Sequence, residues 1–389
     1  MKTILNVAIH EINALFKHKA LLVFVLILPF VVFWFFDGFM KVGVVRDLPI
    51  AIVDNDNTTT SRKLIANLEA TPTLKVAFNV ASKNEGEKLI ETTDAYGLVI
   101  IPKNFEKDIF LSKQPSVTAE FNNSLLIPAG LESKAARAVV GEMSAQIALK
   151  AQLAHGNTID QAIANLQPVR LQAHTLSNPF TNYRYYLVPA LLFAFLQIFV
   201  MLSSVYSLGV DLKYGKTHKL IEIGDNNLLS ILMGKMLPYT LWFFLLGLVL
   251  YNGLFVLQDF PQHGNRMVLL LALFLLIVAT QGFAILFVST SKSLREAMTK
   301  GNAIAALSLG MSGFTFPLMG MPVFFKWYAQ LFPFTHFFKV FLAQTQRNFP
   351  VYYVIPGLFI LAIMTFVLLL YGGIKYKQML LKGQYPSIV

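Results

Sequence analysis

Apolar residues gather along this chain in long unbroken runs, separated by short polar stretches and one long mixed stretch. The first run, Ala20 to Met40, stays apolar until Asp37. At ~1.5 Å per residue, about 20 helical residues cross the hydrocarbon core of a bilayer, so the run predicts a span, kinked at Pro29. Comparable runs predict spans at Tyr186–Leu208, Pro238–Leu257, Met267–Thr290, Ala303–Met321 and Val354–Gly373. Residues 322–350 are apolar but broken by Lys326, Pro333, His336 and Lys339. They predict short helices on the outer leaflet, with Trp327, Phe332 and Phe334 as interfacial anchors. Ahead of the first span, Ile4, Leu5, Ala8, Ile12 and Leu15 share one helical face, while Lys2, Glu11 and Lys17 fall elsewhere. Residues 1–19 therefore predict an amphipathic helix on the cytosolic membrane surface.

Residues 41–185 have another rhythm. Strands are predicted at Leu48–Asp56, Leu74–Val80, Ala95–Pro102 and Ser116–Asn122, and helices at Ser61–Ala70, Glu85–Glu91 and Phe105–Leu111, with a long helix at Leu125–Leu153. Alternating strands and helices predict an α/β domain. The expected fold is a polytopic α-helical membrane protein of about six transmembrane helices. The α/β domain is inserted between the first and second. Its parts are the interfacial helix (1–19), the first span (20–40), the extracytoplasmic domain (41–185), a five-helix membrane region (186–374) and a cytosolic tail (375–389).

Composition agrees with this reading. Only 14% of residues are charged and the mean hydropathy is +0.58, against about 25% charge in a soluble globular chain. The net charge of +11 raises the question of a nucleic-acid partner, and its distribution answers it. Lys41–Arg184 holds 15 basic and 14 acidic residues, whereas the predicted cytosolic pieces (1–19, 209–235, 291–300, 375–389) hold 13 basic and five acidic ones. Cations concentrated on one side report topology; no nucleic acid is implied. Both termini fall in the cytosol, the latter beside Lys375, Lys377 and Lys382. The first apolar run is longer than the roughly 7–15 residues of a cleaved signal and lacks an A-x-A-like site, so it predicts an uncleaved anchor.

Motifs for chemistry are sparse. The sequence has no G-x-x-x-x-G-K-[ST] phosphate loop, no H-E-x-x-H and no G-x-S-x-G, and its seven histidines are scattered. No ATPase, hydrolase or metal centre is predicted. Asp54 and Asp56 with Thr58–Ser61 lack the Gly and final Glu of a calcium loop; a strand-end turn with a helix N-cap fits better. Asp37 is the one ionisable residue inside the predicted spans, beside an uncharged Gln281. A secondary transporter coupled to ions needs more.

Several pieces together resemble the permease subunit of the type-2 ABC exporter family. LPIAIVDNDNTTTSRKLIANLEAT (Leu48–Thr71) and YGLVIIPKNFEKDI (Tyr96–Ile109) are similar to landmarks of its extracytoplasmic domain. SNPFTNYRYYLVPALL (Ser177–Leu192), GKMLPY (Gly234–Tyr239) and MSGFTFPLMGMPVFFKWYAQLFPFTHF (Met311–Phe337) are similar to family segments at the second, third and fifth spans. The loop DLKYGKTHKLIEIGDN (Asp211–Asn226) departs from the usual acidic-rich form, with Lys213 and Lys216 at expected acidic or small positions.

The resemblance implies two paired permease subunits, identical or paralogous, above a cytosolic ABC ATPase dimer. ATP is bound by the partner subunits, and this chain needs no cofactor or metal. The implied ATPase-coupling residues are Asp211, Lys213, Gly215, Thr217, Lys219 and Glu222, with residues 1–19 and Lys213–Ile223 as the coupling helices. The first, second and fifth spans line the path, with Gly310, Ser312, Gly313, Phe316 and Pro317 as candidates for its lining or its gate. Membrane lipids surround the chain, and the outer domain caps the exit or docks a periplasmic adaptor. The implied activity is export of an amphiphilic or hydrophobic substrate, of drug or lipid class, across a bacterial inner membrane. An alternative is a membrane-anchored receptor or assembly scaffold with a ligand-sensing outer domain, but the longest predicted cytosolic stretch, 209–235, is too short for an effector domain.

Overall fold

The computed structural model describes residues 2–168, 172, 178, 182–347 and 349–385. Parts of Ser177–Leu192 and of the 41–185 stretch, and the end of the 375–389 tail, lie outside the described residues. The chain begins with α1 (Lys2–Lys17) and α2 (Lys19–Leu22), which runs through a π-helical turn (Val23–Ile27) into α3 (Leu28–Phe39). Then come β1 (Leu48–Asp54), α4 (Thr59–Glu69), β2 (Leu74–Asn79), α5 (Lys83–Glu91), β3 (Gly97–Ile101), α6 (Phe105–Phe110), β4 (Thr118–Phe121), α7 (Leu126–Ala154) and α8 (Ile159–Leu166). The remainder is α9 (Tyr183–Lys213), α10 (Thr217–Ile223), α11 (Leu228–Asn252), α12 (Arg266–Thr290), α13 (Leu294–Met311), α14 (Val323–Ala329), α15 (Pro333–Thr345) and α16 (Ile355–Lys382). Two compact units result: 1–43 with 175–389, and 44–174.

In the first unit, five stretches are long and apolar enough to cross a membrane: Lys19–Phe39, Tyr183–Lys213, Leu228–Leu257, Arg266–Thr290 and Ile355–Lys382. The expected span Ala303–Met321 is not one helix. α13 stops at Met311, the Ser312 hydroxyl donates to the Leu309 carbonyl, and Gly313 turns the chain with φ +87°. A run judged by hydropathy alone hides that stop, because glycine adopts positive φ at little cost.

Buried backbone needs partners, and two prolines show how this bundle supplies them. Pro29 has no N–H to offer the carbonyl of Val25, which instead accepts from the Trp242 indole at 3.0 Å. Pro189 likewise frees the carbonyl of Tyr185, which accepts from the Gln346 side chain at 3.3 Å. A carbonyl with no partner in an apolar interior is costly, so each donor ties two distant segments together. The π-helical turn ahead of Pro29 absorbs the local misfit.

Ion clusters close both ends of the bundle. Asp37, expected to stand alone, pairs with Arg184 at 2.6 Å, and Gln258 bonds both of them. The other cluster gathers Glu11 and Asp211 around Lys235. Between them, α15 lies inside the bundle: Phe334, Phe337, Phe338 and Phe341 pack with Phe193 of α9 in one core. Phe332 and Phe334 are therefore buried core residues, whereas Trp327 is exposed. Their spacing in the sequence permits either role; burial in the folded chain decides it.

In the second unit the sheet order is β2-β1-β3-β4, parallel except for antiparallel β4. Alternation along β1 sends Ile50 and Ile52 to a core shared with α4, α6 and α7, and Ala51 and Val53 to a smaller core beside α5. The aspartates of the β1 turn are spent on helix capping. Asp54 accepts from the amides of Asp56 and Asn57 and from the Ser61 hydroxyl, while Asp56 accepts from the Glu106 amide and the Thr58 hydroxyl. Thr58 and Ser61 form a reciprocal capping box at α4. Helix α8 was not expected; its capping box, Thr158 with Gln161, is its sequence signal.

Glu132 of α7 is fully buried, and neither carboxylate oxygen finds a partner among the described residues. Burial pushes its carboxyl up to about 7 from an ordinary 4.5. The folded unit then holds a proton that the unfolded chain releases, so this group's contribution favours folding at low pH. Stability is lost as pH rises from 4.5 through about 7, on the order of 3 kcal/mol in all. In the full chain, hydrogen-exchange protection of β3 and β4, corrected for intrinsic rates, should fall between about pH 5 and pH 8. Glu132→Gln should flatten that dependence; an unchanged slope would place its origin elsewhere.

Candidate functional site

One face of α11 organises an end of the helical unit. Lys235, Tyr239 and Trp242 recur at i, i+4 and i+7, so they share a stripe. Lys235 is 1% exposed and donates to Glu11 of α1 at 2.6 Å and to Asp211 of α9 at 2.7 Å. The Tyr239 hydroxyl donates to the second oxygen of Glu11 at 3.0 Å. Beside them, Gly234 leaves room for α1: a Cβ there would meet Val7 Cβ at 2.5 Å and the Ile4 carbonyl at 2.9 Å. Two carboxylates thus converge on one ammonium where three helices meet.

This arrangement adds to one expectation and corrects another. The buried face of α1 carries Val7, Ala8 and Glu11, while Leu5 and Ile12 are exposed. Glu11 chooses the face because its charge must reach Lys235. The helix of the third span also starts earlier than expected, at Leu228, which takes Lys235 into it; Asp211 likewise sits within α9. Asp37 is therefore not alone as a charge in the spans.

The six residues implied for ATPase coupling separate into two sets. Asp211 and Thr217 are buried and hold the region together: Thr217 donates to the Gly383 carbonyl at 3.0 Å, and the Lys216 amide donates to the Asp211 carbonyl at 2.9 Å. Gly215, with φ +65°, makes the turn between α9 and α10. Lys213, Lys219 and Glu222 are exposed, as are Tyr214 and His218. Lys213 and Lys216 both lie against the Tyr214 ring, at 5.2 and 5.7 Å from its centroid. Lys213 ends α9, and the helix that follows is Thr217–Ile223. α10 is thus a short outward-facing helix, clamped from behind by α9 and by the end of α16.

The five residues implied for the path or its gate also separate. Ser312, Gly313 and Pro317 border a cavity of 470 Å³ that His336, Lys339 and Arg347 line as well. The Tyr186 hydroxyl donates to the Phe314 carbonyl at 2.6 Å, pinning the turn to α9. Gly310 and Phe316 are exposed and do not border the cavity.

Glu11, Lys235 and Tyr239 were missed as a group. The signal lay in GKMLPY, where a lysine follows a glycine at the edge of a long apolar run. The partner Glu11 is 224 residues away, beyond the reach of any local pattern.

A family model described as ABC-2 family transporter protein matches residues 19–374. No curated protein matches the chain.

Replacing Lys235 by Met leaves Glu11 and Asp211 facing each other without their cation. Breaking a buried pair in this way costs about 3–5 kcal/mol. Hydrogen exchange along α1 should accelerate markedly while α12 stays protected. The triple variant Glu11→Gln, Asp211→Asn, Lys235→Met should recover much of the loss. Protection of α1 unchanged in Lys235→Met would contradict the role given to the cluster.

Proposed function

Because the chain belongs to the ABC-2 family of transporter proteins, we propose that it is the membrane-spanning permease subunit of an ATP-driven exporter, powered by separate cytosolic ABC ATPase subunits. The observation that carries this reading is the build of α10. A short charged helix faces outward, and its root is fixed to α9 and α16 by Thr217 and Asp211. Asp211 continues through Lys235 to Glu11, so α1 belongs to the same lever. A push on His218, Lys219 and Glu222 is then delivered to α9 and α11 together.

In this reading α1, α10 and the end of α16 lie in the cytosol of a bacterial inner membrane. The α/β unit lies outside, where it caps the exit or meets a periplasmic adaptor. A second permease subunit, identical or paralogous, completes the path. The first and last candidate spans support such a neighbour, since only 11% and 17% of their apolar windows are buried within the chain, against 78% for α9. The cavity beside Ser312, Gly313 and Pro317 combines aromatic walls with Lys339 and Arg347. It suits an amphiphilic substrate of drug or lipid class that carries an acidic group.

The test is purification of the full chain from its native membranes with vanadate-sensitive ATP hydrolysis as the readout. Activity should accompany the wild type and disappear when residues 215–222 are replaced by a Gly/Ser linker of equal length. Activity that persists with the linker would remove α10 from the contact. A wild type without associated ATPase would overturn the transport reading.

A further inference from the structure

Two cavities adjoin where α1 breaks and the first candidate span begins. The larger, 630 Å³, is bordered by Lys17, His18, Lys216 and Lys219. The smaller, 440 Å³, shares Lys17, His18, Leu21 and Tyr206 with it, is also bordered by Lys19, and is walled elsewhere by Ala20, Phe24, Leu202 and Met298. Both volumes fall in the usual range for ligand sites. At their junction the His18 ring stands edge-on to Tyr206, with centroids 6.1 Å apart. The backbone of His18, at φ −99° and ψ 86°, is the elbow between α1 and α2.

The charge here is not balanced from within. The acids bordering the larger cavity are Glu11 and Asp211, and both are committed to Lys235. Among the described residues, no carboxylate pairs with Lys17, Lys19, Lys216 or Lys219. The buried Nδ1 of His10, which also borders this cavity, has no hydrogen-bond partner there. A cationic chamber that opens into an apolar slot, at the start of a membrane span, has the chemistry of an anionic headgroup joined to an acyl chain.

We propose that the two cavities form one site for an anionic phospholipid, with its phosphate among Lys17, His18 and Lys216 and one acyl chain between Phe24, Leu202 and Met298. Basic pockets between membrane helices hold acidic lipid headgroups through direct charge contact. A free phosphate or a nucleotide would use the cationic chamber and leave the slot empty. The site straddles the elbow between α1 and α2 and touches the turn into α10, the elements on which, in the proposed function, the ATPase pushes.

Native mass spectrometry of the full chain in mild detergent tests this. The probes are phosphatidylglycerol, phosphatidylcholine with the same acyl chains, and inorganic phosphate. Phosphatidylglycerol should be retained over phosphatidylcholine on the order of tenfold. Lys17→Gln with Lys216→Gln should remove the preference, arginine at both positions should restore it, and Leu202→Trp should expel the lipid by filling the slot. Without any substitution, phosphatidylglycerol bearing a photoreactive acyl chain should label the segments around Phe24 and Leu202. Equal retention of the two lipids, labelling confined to other segments, or retention unchanged in the lysine variants would overturn the proposal. Retention of inorganic phosphate without lipid would also overturn it, in favour of a soluble anion.

Discussion

A lysine ammonium buried between two carboxylates governs this helical unit. Taking three charged groups out of water costs several kcal/mol each, and short, well-directed contacts are what offset it. Lys235 therefore cannot shift without leaving Glu11 or Asp211 unsatisfied. That demand fixes α1, α9 and α11 against one another. It also selects the face of α1 that is buried, at the expense of Leu5 and Ile12, which remain exposed. Gly234 belongs to the same constraint, because any side chain there would hold α1 away from the cation.

The same accounting of polar groups runs through the rest of the bundle. Trp242, two turns along α11 from Lys235, caps the carbonyl that Pro29 frees, so one stripe of one helix holds both α1 and the first span. Gln346 does the equivalent work for Pro189. At the opposite end Asp37, Arg184 and Gln258 form the second polar closure. Apolar packing between membrane helices gives little direction of its own, since lipid tails are as apolar as leucine. These few polar contacts are what specify which helices meet and in what register.

Much of this was legible in the sequence. Spans announce themselves by length and hydropathy, and the alternation of β1 with its capping turn marked the α/β unit. The D-x-D turn was correctly read as capping chemistry, because Thr58 and Ser61 stand at capping-box spacing. What was not legible depends on distant partners. Glu11 looked like a solvent-facing charge, since nothing near it in sequence reveals Lys235. Lys235 itself looked like a loop residue, since hydropathy places a span's start after its last charge. Phe332 and Phe334 looked like interfacial anchors because aromatic residues serve equally in cores. Ala303–Met321 looked like one continuous helix because a hydropathy average cannot register the turn at Gly313.

In the proposed mechanism α1 and α11 travel as one body when the transporter works. The chain contains no cysteine, so spin labels attach only where cysteines are introduced. Leu5 and Met233 are both exposed and lie on these two helices. The distance between labels at these positions should be measured in the ATPase-bound complex, first without nucleotide and then trapped after ATP hydrolysis. The separation should stay unchanged to within about 2 Å, less than the one-turn shift of a rearranging helix contact. A change near roughly 5 Å, the slip of one helical turn, would contradict it and mean that the Lys235 cluster opens during transport.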